Sequence, residues 1–152
     1  MRLVVIGVNH KTAPVALRER LALVGDDVNI ALQQLERFTD GSVIVSTCNR
    51  TEIYALGPQV SASSESGAAL AAQQTAVSSN NVLSAQPSAA AISAHILKIK
   101  AWLADFKQLP LEEIDPYLYV HRDTHALTHW LRVAAGLDSM ILGEPQILGQ
   151  IK

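Results

Sequence analysis

Cys48 is the residue of this chain best suited to nucleophilic chemistry. It is the sole cysteine among 152 residues and lies in the segment STCNRTE, residues 46–52. The segment follows a short apolar run, and strand ends are where a rigid scaffold presents reactive groups. If the segment stays extended, Arg50 lies on the same side as Cys48 and favours the thiolate, the form that attacks an acyl carbon. The alternative is a small, buried and inert cysteine at a strand end, a common environment for this residue type.

The histidines offer a second kind of chemistry. His121, His125 and His129 recur every four residues, and a histidine pair with this spacing on a helix can share a metal ion. No second cysteine and no evident carboxylate completes a ligand set, so we predict no metal site. Each of these histidines, like His10 after the first apolar run, is more often structural than catalytic in such a position.

A third feature is the segment GLDSMILGEPQILGQ, residues 136–150. Pro145 suits the first turn of a helix, and Glu144 before it complements the helix dipole. Gln146 and Gln150 are four residues apart and project from one helix face. The pattern indicates either a capped helix with two solvated glutamines or a polar wall that binds an amino acid.

The elements that position these residues follow from the apolar spacing. Strands are predicted over residues 3–8, 42–46, 51–56 and 117–121. Helices are predicted after Thr12, which caps the first with Pro14 in its first turn, after Asp26 or Asp27, and along the apolar stripe from Ile92 to Phe106. The order is strand, helix, strand, strand, helix, strand. It predicts an α+β fold of the ferredoxin-like split βαβ type, an antiparallel sheet with helices on one face plus extra C-terminal helices.

Asp123 is predicted to cap the helix that follows the last strand, and Gly136 is predicted to end it. The side chains of this helix that we expect to face inward are its large apolar residues and one alanine: Leu127, Trp130, Leu131 and Ala134.

Composition indicates one globular domain over residues 1–152, with 49% hydrophobic and 17% charged residues. Residues 57–94 are rich in Ser, Ala and Gln and read as a low-complexity insertion.

The net charge of −2 lacks the basic surplus of a compact nucleic-acid-binding module, so any RNA contact is local or made by residues outside this chain. No dinucleotide or phosphate-loop fingerprint is present. The single cysteine excludes an internal disulfide and fits a reducing compartment, and no apolar run is long enough for a membrane span.

Three blocks in order resemble the N-terminal catalytic domain of the glutamyl-tRNA reductase family. They are GVNHKTAP (7–14) with LRER (17–20), STCNRTE (46–52), and RVAAGLDS (132–139) continuing through GEPQILGQ (143–150). Together they cover both ends and the centre of the chain but not residues 57–94.

The resemblance implies an activity and its partners. Family members reduce glutamyl-tRNA to glutamate-1-semialdehyde with NADPH through a cysteine thioester, the first step of five-carbon tetrapyrrole synthesis, in the cytoplasm. An NADPH-binding domain and a dimerisation domain follow in the family, so the chain would be a fragment that ends at the start of the linker helix. We expect it to accept the glutamyl group but not to reduce it. The full-length protein is expected to be a homodimer without membrane attachment, with possible handover to glutamate-1-semialdehyde aminotransferase.

The resemblance also implies residue roles. Cys48 corresponds to the nucleophile and His129 to the histidine required for activity. The residues implied in substrate binding are Thr47, Asn49, Arg50, Ser139, Glu144, Pro145, Gln146 and Gln150. Arg50 suits the side-chain carboxylate of glutamate, although one guanidinium would then serve both thiolate and carboxylate. A ferredoxin-like binding or regulatory module with an inert cysteine is the alternative from another functional class.

Overall fold

The computed structural model describes residues 2–57 and 88–138. Its four strands are β1 (Leu3–Asn9), β2 (Gly41–Ser46), β3 (Arg50–Leu56) and β4 (Tyr119–Arg122). They form one antiparallel sheet in the order β2-β3-β1-β4. The α+β class and the antiparallel sheet predicted from the sequence are confirmed.

Five α-helices accompany the sheet in the described residues: α1 (Val15–Leu21), α2 (Asp26–Leu35), α3 (Ala89–Phe106), α4 (Leu111–Ile114) and α5 (Asp123–Ala134). A 3₁₀ turn, Asp115–Tyr117, joins α4 to β4. None of the helices in residues 2–57 and 88–138 combines the length and apolarity needed to cross a bilayer.

The sheet is covered on both faces, because successive strand residues point to opposite sides. One face carries Val4, Ile6 and Ile53 into a core with side chains of α1 to α4. The other face carries Val5 and Tyr54 into a smaller core against Ala126 and Val133 of α5. Burial on both faces explains why β1 reads as a continuous apolar run rather than an alternating one.

The predicted inward face of α5 is wrong in part. Leu131 is 61% exposed and Leu127 is 36% exposed, whereas Ala126 and Val133 are fully buried. The stripe that faces the sheet is 126, 129, 130 and 133, which also has helical spacing. Ala126 and Val133 of this stripe are buried against the sheet, Trp130 packs beside them, and the same stripe carries His129 inward.

Several predicted boundaries also shift. Thr12 does not cap α1, because the helix begins at Val15 with Pro14 in the N-cap position; Thr12 Oγ1 instead accepts a hydrogen bond from the amide of Asn9 at 3.1 Å. Asp123 is the first residue of α5, with Arg122 in the N-cap position.

Two further boundaries concern β4 and α3. The 3₁₀ turn takes up Tyr117, so β4 begins at Tyr119. Ser88 caps α3, since its Oγ accepts a hydrogen bond from the amide of Ala91 at 3.1 Å. Residues 89–94 of the predicted insertion are therefore helical, and residues 58–87 lie outside the described part of the chain. Gly136 follows α5 with a φ of +73°, as predicted for the residue that ends it.

Candidate active site

Cys48 lies at the bend between β2 and β3, and its side chain is exposed. The turn is tight, because the amide of Thr47 donates to the carbonyl of Arg50 at 2.8 Å. Thr47 Oγ1 accepts hydrogen bonds from the amides of Asn49 at 3.1 Å and Arg50 at 3.2 Å. The alternative of a buried cysteine is therefore wrong, and the thiol is presented to solvent on a turn held by its own hydrogen bonds.

Helix α1 supports this turn from outside. Arg18 Nη1 donates to the carbonyl oxygen of Cys48 at 3.1 Å and to Oδ1 of Asn49 at 3.2 Å. Beyond the same helix, the amide of Leu23 donates to Ser46 Oγ at 2.9 Å, next to the turn. The segment that carries Cys48 is thus tied to a part of the chain about 30 residues upstream.

The prediction that Arg50 lies on the same side of an extended segment as Cys48 is wrong. The chain turns at residues 47–49, so the two-residue spacing no longer places both side chains on one face. The Arg50 side chain is 2% exposed, and its partners are Glu52 and Asp138 rather than Cys48. Its Nη1 is 2.9 Å from Glu52 Oε1, and its Nη2 donates to the carbonyl oxygen of Asp138 at 2.5 Å.

Glu52 is the centre of a buried polar network. Its side chain has no exposed surface, and its carboxylate binds four side chains. Arg50 Nη1 is 2.9 Å and His129 Nε2 is 2.8 Å from Oε1, which also accepts a hydrogen bond from Tyr119 Oη. Tyr54 Oη donates to Oε2 at 2.7 Å. Because β1 runs between β3 and β4, these contacts pass over Gly7, which pairs with Glu52 on one side and with Tyr119 on the other.

The network keeps Glu52 ionised. Burial by itself raises the pKa of a carboxyl group, but the hydrogen bond with His129, the charge of Arg50 and the two tyrosine hydrogen bonds outweigh it and lower the pKa of Glu52 below its ordinary value. Burial and the adjacent carboxylate raise the pKa of Tyr54 and Tyr119 far above the ordinary value. Both phenols therefore remain hydrogen-bond donors.

His129 lies between two carboxylates. Its Nε2 is 2.8 Å from Glu52 Oε1, and its Nδ1 is 3.7 Å from Asp138 Oδ2. Its ring also contacts the rings of His121, with centroids 4.7 Å apart, and Tyr119, with centroids 5.5 Å apart. The structure thus connects His129 to Arg50 through Glu52.

The remaining histidines differ in their surroundings. The pKa of His10 is lowered from its ordinary value. Burial is the main cause, and the positive charges of Lys11, Arg50 and Arg18 add to it. Burial and neighbouring His129 lower the pKa of His121. His121 lies on β4 rather than on α5, whereas His125 is an exposed residue of the helix. Within residues 2–57 and 88–138, no group of three His, Cys, Asp or Glu side chains is placed to hold a metal ion.

The structure brings five of the predicted site residues to one end of the sheet: Thr47, Cys48, Asn49, Arg50 and His129. The other five lie outside the described residues: Ser139, Glu144, Pro145, Gln146 and Gln150. Sequence reasoning missed the network centre, Glu52, and the anchor, Arg18. A signal for Glu52 was available, because it shares a strand face with Arg50 and Tyr54 in an otherwise apolar run.

The fold and this site define an α+β domain that presents an exposed cysteine on a hairpin turn above a buried Arg–Glu–His network. The family described as "Glutamyl-tRNAGlu reductase, N-terminal domain" matches residues 6–152, and the chain belongs to this family.

Relatives agree with this membership. Glutamyl-tRNA reductase of Psychrobacter arcticus is 76% identical over the whole of this chain, which covers 33% of that protein. The enzyme of the same name from Marinobacter nauticus is 40% identical, again over the whole chain and 28% of the relative. The solved structure of glutamyl-tRNA reductase from Methanopyrus kandleri matches with a TM-score of 0.57 at 26% identity, over 98% of this chain and 26% of that one. The chain thus spans about a third of the length of its relatives or less.

Proposed function

We propose that the protein to which this chain belongs reduces glutamyl-tRNA to glutamate-1-semialdehyde with NADPH, the first step of tetrapyrrole synthesis, and that this domain accepts the glutamyl group. The observation that carries the proposal is the exposed thiol of Cys48 on an anchored turn. The thiolate attacks the ester carbonyl carbon, a C–S bond forms, and the ester C–O bond breaks. The ribose oxygen of the tRNA leaves as an alkoxide and takes a proton from water, and the glutamyl group remains as a thioester.

Arg50 is proposed to bind the side-chain carboxylate of the glutamyl group. A guanidinium has five N–H donors in a planar fork, and the contacts with Glu52 and Asp138 engage Nη1 and Nη2 once each. Three N–H donors therefore have no described partner, and because the side chain is 2% exposed, the proposal requires the cover over Arg50 to open for a substrate carboxylate. Glu52 fixes the guanidinium plane, and it fixes His129 at the same time, so both side chains are positioned before substrate arrives.

The further roles rest on the family resemblance. We propose that Thr47 and Asn49 bind substrate beside the nucleophile and that His129 is needed for activity. We propose the same substrate-binding role for the C-terminal set: Ser139, Glu144, Pro145, Gln146 and Gln150.

The described residues do not fit NADPH. A dinucleotide needs a glycine-rich turn between a strand and a helix N-terminus. The connection from β1 to α1 reads HKTAP and contains no glycine, and β4 runs directly into α5. We therefore propose that the cofactor, which supplies a hydride, binds to the part of the full-length protein that corresponds to the rest of its relatives' length.

Further proposals concern the fold type, the extent of the domain and the assembly of the full-length protein. The element order β1, α1–α2, β2, β3, α3, β4 and the strand order β2-β3-β1-β4 favour the ferredoxin-like split βαβ arrangement, with α5 as the added helix on the second face. We propose one catalytic domain over residues 1–152, a cytoplasmic full-length homodimer, and handover of the aldehyde to an aminotransferase.

The experiment is intact-mass spectrometry of the full-length protein after incubation with glutamyl-tRNA. We expect one glutamyl adduct, located on Cys48 by peptide mapping and absent from the Cys48→Ser variant, because a hydroxyl has no accessible anionic form near neutral pH. The same assay on this chain alone, with and without NADPH, is expected to give the adduct but no aldehyde. Adduct on another residue, or equal acylation of the Ser variant, would contradict the proposal and favour a binding module with an inert cysteine.

A further inference from the structure

Arg18 is the one side chain of α1 with described hydrogen bonds to the turn that carries Cys48. Its Nη1 lies 3.1 Å from the carbonyl oxygen of Cys48 and 3.2 Å from Oδ1 of Asn49. We infer that Arg18 is a positioning residue for acyl transfer, which fixes the direction in which the turn presents the thiol. The inference rests on the proposed role of Cys48 as the acyl acceptor.

The turn is held from two sides. Thr47 Oγ1 accepts hydrogen bonds from the amides of Asn49 and Arg50 and so closes the turn from within. The carbonyl oxygen of Cys48 takes no part in the described hydrogen bonds that close the turn, and it accepts a hydrogen bond from Arg18 instead. Hydrogen bonds from a charged donor are stronger than those between neutral groups, so one guanidinium fixes two successive residues of the turn.

Helix α1 is a rigid support for this contact. Leu21 at its C-terminal end has no exposed surface and belongs to the larger core, against which Leu17 is also packed. The Cys48 side chain itself is exposed, so packing does not hold it. Arg18 therefore connects the turn to a helix that is packed on the core. Without this contact, the described hydrogen bonds that hold the turn are mainly its own.

The placement of Arg18 carries a cost in stability as well as a gain. Its Nε is buried and has no hydrogen-bond partner among residues 2–57 and 88–138. A buried donor without a partner costs free energy, which offsets part of what the two Nη1 contacts contribute. The contact instead fixes the turn that carries the nucleophile, and the rate of acyl transfer depends steeply on the position of the nucleophile.

The test uses the full-length protein with Arg18→Met, Arg18→Lys and the matched control Arg20→Met. Arg20 lies on the same helix and is exposed. Single-turnover acylation at saturating glutamyl-tRNA is expected to fall about 10- to 100-fold in Arg18→Met, the loss typical of a nucleophile displaced by about 1 Å. Arg18→Lys keeps one charged donor and is expected to recover part of the rate. The control Arg20→Met and the KM for glutamyl-tRNA are expected to stay close to wild type, and each acylation rate is corrected for the folded fraction of its variant, because Arg18→Met also loses two hydrogen bonds.

A second readout reports the anchor directly. Cysteine labelled with ¹³C at the carbonyl gives a Cys48 resonance, identified by its loss in Cys48→Ser. We expect this resonance to shift in Arg18→Met, because the carbonyl loses its charged donor, and to stay in place in Arg20→Met. An unshifted resonance, or a wild-type acylation rate in Arg18→Met, overturns the inference while leaving the proposed function standing. A rate loss explained wholly by a lower fraction of folded protein also overturns it. If wild-type protein forms no adduct, the proposed function fails, and the positioning role fails with it even where the resonance shifts.

Discussion

Nε2 of His129 lies 2.8 Å from Oε1 of Glu52, although 77 residues separate them in the chain. The same oxygen binds Nη1 of Arg50, so one carboxylate joins α5 to the base of the Cys48 turn. A buried carboxylate is stable only if it is paired and hydrogen-bonded, and Glu52 meets that condition with four partners. The geometry of the candidate site and the stability of the domain therefore depend on the same group.

The first prediction concerns removal of that charge. Glu52→Gln leaves Arg50 buried without its carboxylate partner, so the free energy of unfolding is expected to fall by about 3–5 kcal/mol. Urea denaturation measures the change. The control Glu112→Gln alters an exposed glutamate on α4 and is expected to stay within about 0.5 kcal/mol of wild type. Equal stability of the two variants would show that Arg50 finds another partner.

The second prediction concerns acid. The pKa of Glu52 is lower in the folded protein than its ordinary value of 4.5, so the unfolded chain binds more protons as the pH falls through that range. The stabilisation by Glu52 is therefore complete above about pH 4.5 and is lost progressively below it. Denaturation midpoints measured from pH 6 downward should fall steeply in wild type and less steeply in Glu52→Gln. Parallel slopes would place the acid-sensitive group elsewhere.

The third prediction concerns the closeness of the strands beneath this network. A Cβ added at Gly7 would lie 2.6 Å from the carbonyl oxygen of Thr51 and 2.8 Å from Cγ of Glu52. The backbone of β3 would have to move to make room for the added Cβ. Gly7→Ala is therefore expected to lower the free energy of unfolding by about 1–3 kcal/mol and to disturb the Glu52 network. Gly41→Ala is the control, because the nearest atom there is 3.8 Å from the added Cβ. Equal unfolding midpoints for both variants would contradict the argument.

The fourth prediction concerns a histidine away from the site. His95 on α3 is 6% exposed, and its burial, aided by the charge of Lys98, lowers its pKa below the ordinary 6.5. The unfolded chain then takes up a proton that the folded protein resists, so stability falls as the pH drops below about 6.5. His95→Leu is expected to reduce the slope of stability against pH between 5 and 7. The exposed His125→Gln control should retain it, and a retained slope in both variants would refute the assignment.

The sequence predicts the parts of this fold that depend on local patterns better than the parts that depend on contacts between distant residues. The four strands and their antiparallel sheet follow from local apolar runs, because burial on both faces leaves a continuous signal in β1. The face of α5 was mispredicted because large apolar side chains were assumed to point inward, whereas Ala126 and Val133 do so and Leu131 is exposed.

The geometry of the candidate site is harder to predict from the sequence than the fold, because most of its contacts join residues that are distant in the chain. Cys48 and Arg50 are visible in one short segment, but the tight turn between them is decided by the hydroxyl of Thr47 rather than by strand periodicity. The partners of Glu52 come from β3, β4 and α5, up to 77 residues away. Arg18 reaches the turn from 30 residues upstream. Such long-range pairings have no periodic signature in a single sequence.

The last prediction concerns Arg50→Lys. The guanidinium of Arg50 spans Glu52 Oε1 and the carbonyl oxygen of Asp138 with two different nitrogens, and an ammonium group on a flexible stem cannot reproduce that planar fork. We expect the variant to lose one charged hydrogen bond, which costs about 1.5–3 kcal/mol of stability. Because Arg50 is buried, we expect an effect on stability as well as on selectivity.

Selectivity is measured as the ratio of single-turnover acylation rates with glutamyl-tRNA and glutaminyl-tRNA. If Arg50 binds the substrate carboxylate, loss of one charged hydrogen bond in the glutamyl complex lowers this ratio on the order of tenfold or more. Arg122→Lys is the matched control, because Arg122 is an exposed arginine at the end of β4 and should leave both the ratio and the stability unchanged. Rates are corrected for the folded fraction of each variant, since a loss of folded protein lowers both rates equally and leaves the ratio intact. An unchanged ratio in a folded Arg50→Lys variant would move the carboxylate contact to another residue and leave Arg50 as the structural partner of Glu52.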